Sequence, residues 1–410
     1  MAAMNLHIYP SAFKNESRML KETRSLLALG LVSEIRIAAL WEEGLKRVER
    51  LDPDRTVHRL ALCLHFGSKN LLTEGLRYFE FMIRILMRFG RRSTECVNCH
   101  SLHVLPIGAL FKILFGSFLI YDTHELETEN FGMRGLRKPV AKFLERALMP
   151  LVDEVVVVSD SIGDWYQATY RLPRVFVVKN VPCRGGKEPR RNGRLREKFE
   201  IPAGEPAFIY VGRLNERTGA NRLMEVWPDI DPSRHLVFMG MGELEEPIRE
   251  LSRIHPHIHF KEAVAPHEVL EVTAGADAGI NFVENTCLNA YFCLSNKVFE
   301  YILAGVPIIV RDFPDLGNLV HTYGCGWTVS DRDRDLVELV NGLDMEEIRH
   351  KKENTLKARR HLGWHLEEKA YHEIYQGVLL RREEKTTHAM QAPGLPAHAA
   401  GPIPSSQESK

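Results

Sequence analysis

Short apolar segments alternate with amphipathic segments of helical period along almost the whole chain. Such alternation predicts strands of a parallel sheet, each followed by a helix that covers the sheet. Helical patterns fill the gaps of the first half, for example at 17–29, 71–89, 138–149 and 161–170. The predicted strands are 5–9, 34–40, 57–64, 95–99, 118–122, 153–158 and 174–178 in the first half, and 207–211, 235–239, 257–260, 277–282, 307–310 and 326–329 in the second. The pattern therefore predicts an α/β protein with two doubly wound Rossmann-like sheets.

The length of 410 residues exceeds what one hydrophobic core usually holds, so two domains are expected. A basic, glycine-rich segment that lacks strand character separates the two series and reads as a linker. The predicted division is 1–183 for an acceptor-side domain, 184–204 for the linker, 205–362 for a second domain, 363–383 for a crossover helix and 384–410 for a polar, disordered tail. Two such domains would face each other across a cleft at the carboxyl edges of their sheets.

Composition excludes several classes of protein. Hydrophobic residues make up 44% of the chain and the formal net charge is zero, which argues against nucleic acid as the main partner. Since no signal peptide or membrane span is visible, a soluble, cytoplasmic protein is predicted. The motif Cys96-Val-Asn-Cys99-His100 matches a pattern for covalent haem attachment, but its position favours the end of a strand.

The segment 284–310 carries the strongest functional signal. A polar, turn-rich stretch leads into an amphipathic helix with Glu300 on its second turn, and an apolar strand follows. A helix that begins beside the carboxyl edge of a parallel sheet presents free backbone N–H groups to an anion. The arrangement suits a sugar nucleotide, whose diphosphate or sugar would meet the amides and whose ribose would donate to the carboxylate.

Three other strand ends carry candidate residues. Arg213 follows a strand and a glycine, where a guanidinium could bind a diphosphate; a surface arginine in a turn is the alternative. Gly240 and Gly242 could let the backbone approach a base or ribose, although paired glycines also make ordinary strand-to-helix turns. His124 could bond a sugar hydroxyl or handle a proton, while a solvated loop histidine is the other interpretation.

Several of these motifs together resemble a known family. VGRL at 211–214, GMGEL at 240–244 and NKVFEYILAGVPIIV at 296–310 resemble the nucleotide-binding domain of GT-B glycosyltransferases, and more closely that of glycosyltransferase family four, the retaining, glycogen-synthase-like enzymes. In the first half FKNESRMLKETRSL, LPIGALFK, YDTHELE, VDEVVVVSDSI and VVKNVP are similar to N-terminal pieces of that family. The resemblance covers about residues 5–380 and keeps its order along both domains.

This resemblance implies a role for each matching position. It places Arg213 at the donor diphosphate, Glu300 at the nucleotide ribose and His124 at the donor sugar near the reacting carbon. It also implies backbone contacts from Cys293, Leu294 and Ser295 to sugar and phosphate, Gly240 and Gly242 near the nucleoside, and a final helix that crosses back to the first domain. Because Arg213 and the helix amides could stabilise the charge of the leaving diphosphate, metal-independent transfer from a nucleoside-diphosphate sugar is expected, with no other cofactor.

The chain departs from the family pattern at two positions. The family usually has a glutamate eight positions before the second one, but here Phe292 precedes Glu300 at that spacing. The donor sugar would then need another contact, for which Glu284 and Asn285 are candidates. Thr218 replaces the lysine that usually follows VGRL, which leaves Arg217 beside it, or Lys297, to supply the missing cation.

The acceptor is expected in the first domain. Residues 71–92 place Leu76, Phe79, Ile83 and Leu86 on one helical face and Arg77, Arg84, Arg88 and Arg91 on another. Such a helix either packs on its own sheet or rests on the inner surface of a membrane. The leading hypothesis is a retaining glycosyltransferase for a glycan or lipid-linked acceptor in surface polysaccharide synthesis. A nucleotide-sugar epimerase of similar fold and a non-catalytic binding scaffold are the alternatives.

Overall fold

The chain folds around two sheets. The computed structural model describes residues 4–14, 16–63, 71–90, 94–183, 189, 193–216 and 218–381. The predicted tail at 384–410 and parts of the predicted linker lie outside these residues. Within them the predicted architecture is confirmed, because each half of the chain forms its own sheet with helices on both faces.

The first sheet has eight strands: β1 (Met4–Ile8), β2 (Glu34–Leu40), β3 (Val48–Arg50), β4 (Arg55–Leu60), β5 (Thr94–Cys99), β6 (Phe118–Asp122), β7 (Glu154–Val157) and β8 (Phe176–Val177). Their order is β3-β4-β2-β1-β5-β6-β7-β8, and every neighbouring pair is parallel except β3 with β4. The sequence pattern predicted seven of these strands and missed the short, antiparallel β3. The Cys-x-x-Cys-His motif ends β5, where both cysteines are buried, as expected of a strand end.

Helices cover both faces of this sheet. They are α1 (Ser17–Ala28), α2 (Leu71–Phe89), α3 (Leu105–Phe115), α4 (Arg137–Leu148) and α5 (Asp160–Tyr170). Helices α2 to α5 bury their apolar sides in one cluster on one face. Helix α1 packs on the opposite face together with residues from the C-terminal end of the described chain.

The second sheet is fully parallel: β9 (Ala207–Arg213), β10 (His235–Met241), β11 (Ile258–Glu262), β12 (Ala278–Asn281), β13 (Ile308–Arg311) and β14 (Gly326–Val329), in the order β11-β10-β9-β12-β13-β14. Its helices are α6 (Arg194–Phe199), α7 (Ala220–Val226), α8 (Glu245–Ile254), α9 (Val269–Thr273), α10 (Leu288–Tyr291), α11 (Asn296–Leu303), α12 (Pro314–Tyr323), α13 (Asp333–Gly342) and α14 (Met345–Ala358). The strand order reverses between β9 and β12, and ligands of such sheets bind in the crevice beyond this point.

The C-terminal segment returns to the first sheet, as predicted. After a break at Gly363, where φ is 156°, it forms α15 (Trp364–Glu367) and α16 (Ala370–Ile374). The crossing is therefore a series of short helical pieces instead of one helix. Tyr375 anchors it, because its hydroxyl accepts hydrogen bonds from the amides of Asn5 at 2.6 Å and Asn98 at 2.9 Å.

Replacing Trp364 by alanine should destabilise this attachment. The indole is 4% exposed, and its Nε1 donates to Ser25 Oγ at 2.8 Å. We expect Trp364→Ala to lower the free energy of unfolding by about 3–5 kcal/mol in urea titrations. Leu380→Ala, which truncates an exposed side chain of the same segment, should change it by less than about 0.5 kcal/mol. Equal effects of the two substitutions would contradict the packing described here.

Candidate functional site

Helix α11 is fixed at the point where β9 and β12 diverge. Its Tyr301 packs on Gly279, where an added Cβ would lie 2.4 Å from the ring. The Tyr301 hydroxyl accepts from the backbone N–H of Val211 at 2.9 Å and donates to the carbonyl of Ile280 at 3.1 Å. This bridge between the two strands holds the N-terminus of α11 against the crevice.

Cys293, Leu294 and Ser295 come directly before α11, and Ser295 is its N-cap. The first-turn N–H groups of a helix have no carbonyl partner within that helix. Burial raises the pKa of the Cys293 thiol to about 12, so this side chain stays neutral. The local charge at this helix end is therefore the positive end of the peptide dipoles, which favours an anion.

Lys297 lies across the end of β9. Its Nζ donates to the Tyr210 hydroxyl at 2.6 Å and stands 4.2 Å from the centre of that ring. The side chain passes directly over Gly212, where an added Cβ would lie 2.6 Å from Lys297 Cε. Burial lowers the pKa of the Lys297 amine to about 8, with the carboxylate of Glu300 acting in the opposite direction. The amine thus lies at the end of β9, where exposed Arg213 follows Gly212 in the chain.

Glu300 lies one turn after Lys297 on the same face of α11. Burial raises the pKa of its carboxyl group, while the cations of Lys297 and Lys21 lower it. Lys21 belongs to α1 on the first sheet, and its Nζ donates to Asn180 Oδ1 at 2.8 Å and to the Val181 carbonyl at 2.7 Å. Glu300 therefore faces cations from both halves of the chain, a feature that the sequence did not reveal.

Gly240 and Gly242 have a clear packing role. An added Cβ at Gly240 would lie 1.8 Å from the carbonyl oxygen of Gly212, and one at Gly242 would lie 2.1 Å from that of Leu214. The two glycines thus let the ends of β9 and β10 approach closely. Their expected proximity to a nucleoside stays a prediction.

The turn after β9 uses Thr218 as a structural residue. Its hydroxyl donates to the carbonyl of Arg213 at 2.8 Å and lies 3.1 Å from that of Asn215. Thr218 therefore closes the turn that carries Arg213 and supplies no charge. The second candidate cation, Arg217, lies outside the described residues.

Phe292 faces the first domain. Its side chain packs with Leu288 against the apolar cluster of the first sheet, and its carbonyl accepts from Ser159 Oγ at 3.0 Å. Asn289 makes a second link, since its Oδ1 accepts from the backbone N–H of Leu126 at 2.7 Å. The segment that departs from the family pattern thus joins the two halves of the molecule.

Glu284 and Asn285 are the candidate replacements for the missing glutamate. The first is hydrogen-bonded to another side chain and the second is exposed to solvent. Glu284 Oε1 accepts from Asn221 Nδ2 at 3.1 Å, and Asn285 is exposed. Glu284 also lines a cavity of about 750 Å³ together with Glu216, Glu225 and Glu250. Four carboxylates make this cavity unsuitable for a diphosphate.

His124 is the outer member of a buried polar group. This group, called the histidine cluster below, consists of His7, His100, Asp122 and His124. His7 Nδ1 lies 2.8 Å from His100 Nε2, and His100 Nδ1 lies 3.2 Å from both His124 Nε2 and Asp122 Oδ2. The side chain of His124 keeps 23% of its exposure, whereas His100 and Asp122 are buried. Only His124 among these four is partly exposed.

A buried ion pair supports the cluster. Arg18 Nη2 donates to Asp122 Oδ1 at 2.9 Å, and its Nη1 donates to the Val178 carbonyl at 2.7 Å. Burial alone would raise the pKa of the Asp122 carboxyl, but Arg18 and the neighbouring histidines hold it well below its usual range. The neighbouring Glu22 has its pKa raised by burial and by Asp122. Asp122 is therefore the fixed negative charge against His100 and His124.

Sequence reasoning found His124 and missed the residues behind it. His7, His100 and Asp122 stand in or directly after β1, β5 and β6, among apolar neighbours. Polar residues at every second position of adjacent strands, such as Asn5 with His7, Asn98 with His100 and Asp122 with His124, are the signal that could have found them, because alternate residues share one face.

Two sets of buried side chains have the spacing of metal ligands within the part of the chain that the structure describes. Ligand atoms lie within 4.8 Å of one another in the set His7, Glu22 and His100, and in the set His100, Asp122 and His124. Arg18 already neutralises Asp122, which weakens the second set as a cation site. Metal independence stays a prediction, which activity in the presence of EDTA would test.

The histidine cluster predicts the direction in which the free energy of unfolding changes with pH. Burial lowers the pKa of His100 to about 4, so its ring stays neutral in the folded state down to that pH, whereas an unfolded histidine takes a proton below about 6.5. Acidification from pH 6.5 therefore removes stability that His100 provides, by at most about 1.4 kcal/mol per pH unit. We expect the difference in unfolding free energy between wild type and His100→Asn to shrink by about 2 kcal/mol between pH 6.5 and 5.

The difference between the two proteins is the quantity to measure, because groups such as Glu127, whose pKa burial raises to about 8, titrate in both. Denaturant titrations at several pH values provide it. A difference that does not change with pH would contradict a neutral buried His100.

Comparison with known proteins shows what this part of the chain resembles. Residues 205–343 match the family model of the glycosyl transferases group 1. The matched segment contains Arg213, Lys297 and Glu300 and the whole second sheet. The expected resemblance to that group of enzymes is confirmed.

Solved structures extend the likeness to both sheets. Sucrose-phosphate synthase from Thermosynechococcus elongatus superposes with a TM-score of 0.75 at 15% identity and covers 92% of this chain and 100% of its own. WaaG, a glycosyltransferase of lipopolysaccharide biosynthesis, gives 0.64 at 14% identity over 91% and 100%. Anabaena HepE in complex with UDP and glucose gives 0.68 at 13% identity over 92% and 100%. The fold of the described chain is therefore the GT-B architecture.

One curated relative matches by sequence. Chitobiosyldiphosphodolichol beta-mannosyltransferase of Eremothecium gossypii is 26% identical over 310 residues. The match covers 65% of this chain and 64% of the relative, so the chain spans less than two thirds of that protein's length.

Proposed function

We propose that the protein transfers a sugar from a nucleoside-diphosphate sugar to a lipid-linked or glycan acceptor. The observation that carries the proposal is that Lys297 and the N-terminus of α11 lie at the end of β9, the strand that ends with Arg213, where the strand order reverses in the segment that matches the group 1 glycosyl transferases. Two cations and free amides at one sheet edge suit a diphosphate, and Glu300 on the same helix suits the hydroxyls of a ribose.

The proposed transfer depends on stabilising the leaving group, the nucleoside diphosphate. Negative charge grows on the nucleoside diphosphate as the glycosidic bond breaks, and fixed donors at that position lower the barrier. Arg213, Lys297 and the α11 amides would stabilise this charge. His124, held by the buried cluster behind it, would contact the sugar from the opposite sheet.

An apolar pocket supports a lipid-linked acceptor. A cavity of about 230 Å³ opens at the carboxyl edge of the first sheet, between the strand ends and α2. Leu40, Leu62, Phe81 and Val104 provide apolar walls, and the polar side chains at the cavity include Glu74, Arg77 and His103. The acceptor named for the curated relative carries a diphosphate and a dolichol, which combines an anionic group with an apolar chain.

A two-stage experiment tests the proposal. Thermal-shift and calorimetric screening of nucleoside diphosphates and their sugars identifies the donor, and UDP and UDP-glucose are the first probes because HepE binds UDP. Transfer to a lipid-diphosphate sugar acceptor is then measured with the labelled donor. Isomerisation of the donor without transfer would support the epimerase instead, and nucleotide binding that Glu300→Ala abolishes, without any turnover, would support the scaffold.

The stereochemical outcome is part of the same proposal. The resemblance to family four implies retention of the anomeric configuration, whereas the curated relative is named for a beta-mannosyl product. The coupling constant of the new anomeric proton, measured by NMR on the first product formed, distinguishes the two outcomes.

A further inference from the structure

Helix α4 exposes an apolar stripe to solvent. Leu136 at its N-cap is 84% exposed, Val140 63% and Phe143 75%, and Leu144 is exposed as well. The spacing of four, seven and eight residues places these side chains on one face of the helix. A helix that packs only on its own sheet normally turns such a face inward, so this one is built to contact something else.

Two neighbouring helices continue this surface. Helix α3 contacts both α2 and α4, and the three helices bury their other sides in one cluster on the same face of the first sheet. The end of α3 exposes Ile113, Leu114 and Phe115, and α2 exposes Leu76, Phe79, Ile83 and Met87. The exposed apolar side chains of α2, α3 and α4 are called the three-helix face below.

The three helices that carry this face are rich in basic residues. Its helices contain Arg77, Arg84, Arg88, Lys112, Arg137, Lys138, Lys142 and Arg146, against the acidic residues Glu74, Glu80 and Glu145. Glu145 does not reach the surface, because it is buried and accepts hydrogen bonds from the hydroxyls of Tyr121, Tyr166 and Tyr170. Some cations pair with nearby carboxylates, as Lys138 and Lys142 do with Glu129, but the balance remains positive.

We propose that the three-helix face binds the surface of an anionic lipid bilayer. Exposed apolar side chains mixed with arginine and lysine match the acyl-chain boundary and the anionic headgroups of such a surface. A second copy of the chain fits less well, since a two-fold interface would bring two basic faces together. Within the described part of the chain no helix has the length and apolar character to span a bilayer, so the contact is peripheral.

Bilayer binding also fits the apolar pocket, which α2 borders. Tyr78 and Phe81 of α2 line that pocket, while Phe79 and Ile83 of the same helix belong to the three-helix face. A protein seated on this face would hold the pocket close to the headgroups. Membrane binding itself requires no nucleotide, so the inference stands or falls separately from the proposed reaction.

Co-sedimentation with vesicles tests the inference. The probes are phosphatidylcholine vesicles with and without phosphatidylglycerol, at low and high salt. Wild type should bind the anionic vesicles, and salt should weaken binding because it screens the headgroup charge. Val140→Ser/Phe143→Ser should bind at least about tenfold more weakly. Arg137→Glu/Arg146→Glu should lose the preference for anionic vesicles.

A matched control is available on other surfaces. Val48→Ser/Ile254→Ser replaces two apolar side chains that are also more than half exposed but lie outside the three-helix face, and it should leave vesicle binding unchanged. Failure of wild type to bind at low salt would overturn the inference, as would equal binding by all variants. So would a wild-type dimer in analytical ultracentrifugation that Val140→Ser/Phe143→Ser dissociates. Nucleotide binding measured on the same variants should stay unchanged.

Discussion

Asp122→Asn should reduce turnover by about 10²-fold or more and should also destabilise the protein. The Asp122 carboxylate accepts from Arg18 at 2.9 Å and lies 3.2 Å from His100 Nδ1, and all three side chains are buried. Loss of its charge leaves the Arg18 guanidinium buried without a counter-ion, at a cost of about 3–5 kcal/mol. It also removes the negative charge that faces His100 and His124.

His124→Ala separates the loss of turnover from the loss of stability. His124 is the partly exposed end of the cluster, so its removal should abolish most turnover while the free energy of unfolding changes by less than about 1 kcal/mol. Turnover and urea denaturation of Asp122→Asn, His100→Asn and His124→Ala are compared. If Asp122 only maintains the fold, activity per folded molecule should be restored at low temperature. A positioning role predicts that kcat stays low there while KM for the donor changes little.

Arg213→Ala and Lys297→Met should weaken the donor site by different routes. Arg213 is exposed at the end of β9, so its loss should lower kcat by about 10²- to 10³-fold and leave folding intact. Lys297 is half-buried and passes over Gly212, and methionine preserves most of its volume. We expect Lys297→Met to raise the dissociation constant of the nucleoside diphosphate by about tenfold or more.

The pH dependence of diphosphate affinity tests whether the amine of Lys297 contributes to binding. Since the pKa of Lys297 is lowered to about 8, its positive charge is lost as the pH rises through that value, and affinity for the diphosphate should fall over the same range. Calorimetric titrations between pH 7 and 9 should show this fall in wild type and not in Lys297→Met. The control is Arg334→Ala, which removes an exposed cation paired with Glu338 on a distant helix and should have no effect. A wild-type affinity that is constant over this range would count against a diphosphate contact by Lys297.

Local patterns were enough to predict most of the fold. The apolar strands and their helices were visible in the sequence because burial on both sides of a parallel sheet requires continuous apolar runs. β3 (Val48–Arg50) was missed since it is short, antiparallel and exposed at the sheet edge. The C-terminal return was expected, but the division between α15 and α16 at residues 368–369 was not, because no glycine or proline marks it in the sequence.

The sequence could predict the candidate site only where its residues lie close together in one segment of the chain. Glu300, Lys297 and Ser295 lie within one turn or two of each other, so helical spacing brings them together. The histidine cluster depends on the pairing of strands that are far apart in the chain, and Lys21 reaches Glu300 from the opposite domain. The contact of Phe292 with the first sheet likewise depends on how the two halves meet.

The two halves of the molecule are connected by the chain twice, once after β8 and once between α14 and α15. Two separate chain connections limit the relative movement of two domains more than one connection does. Gly363 lies on the second attachment, and Trp364 beyond it is clamped against α1. The return of the C-terminal segment thus restricts the relative orientations that the two halves can adopt, and with them the alignment of the sheet edges that carry His124 and Glu300.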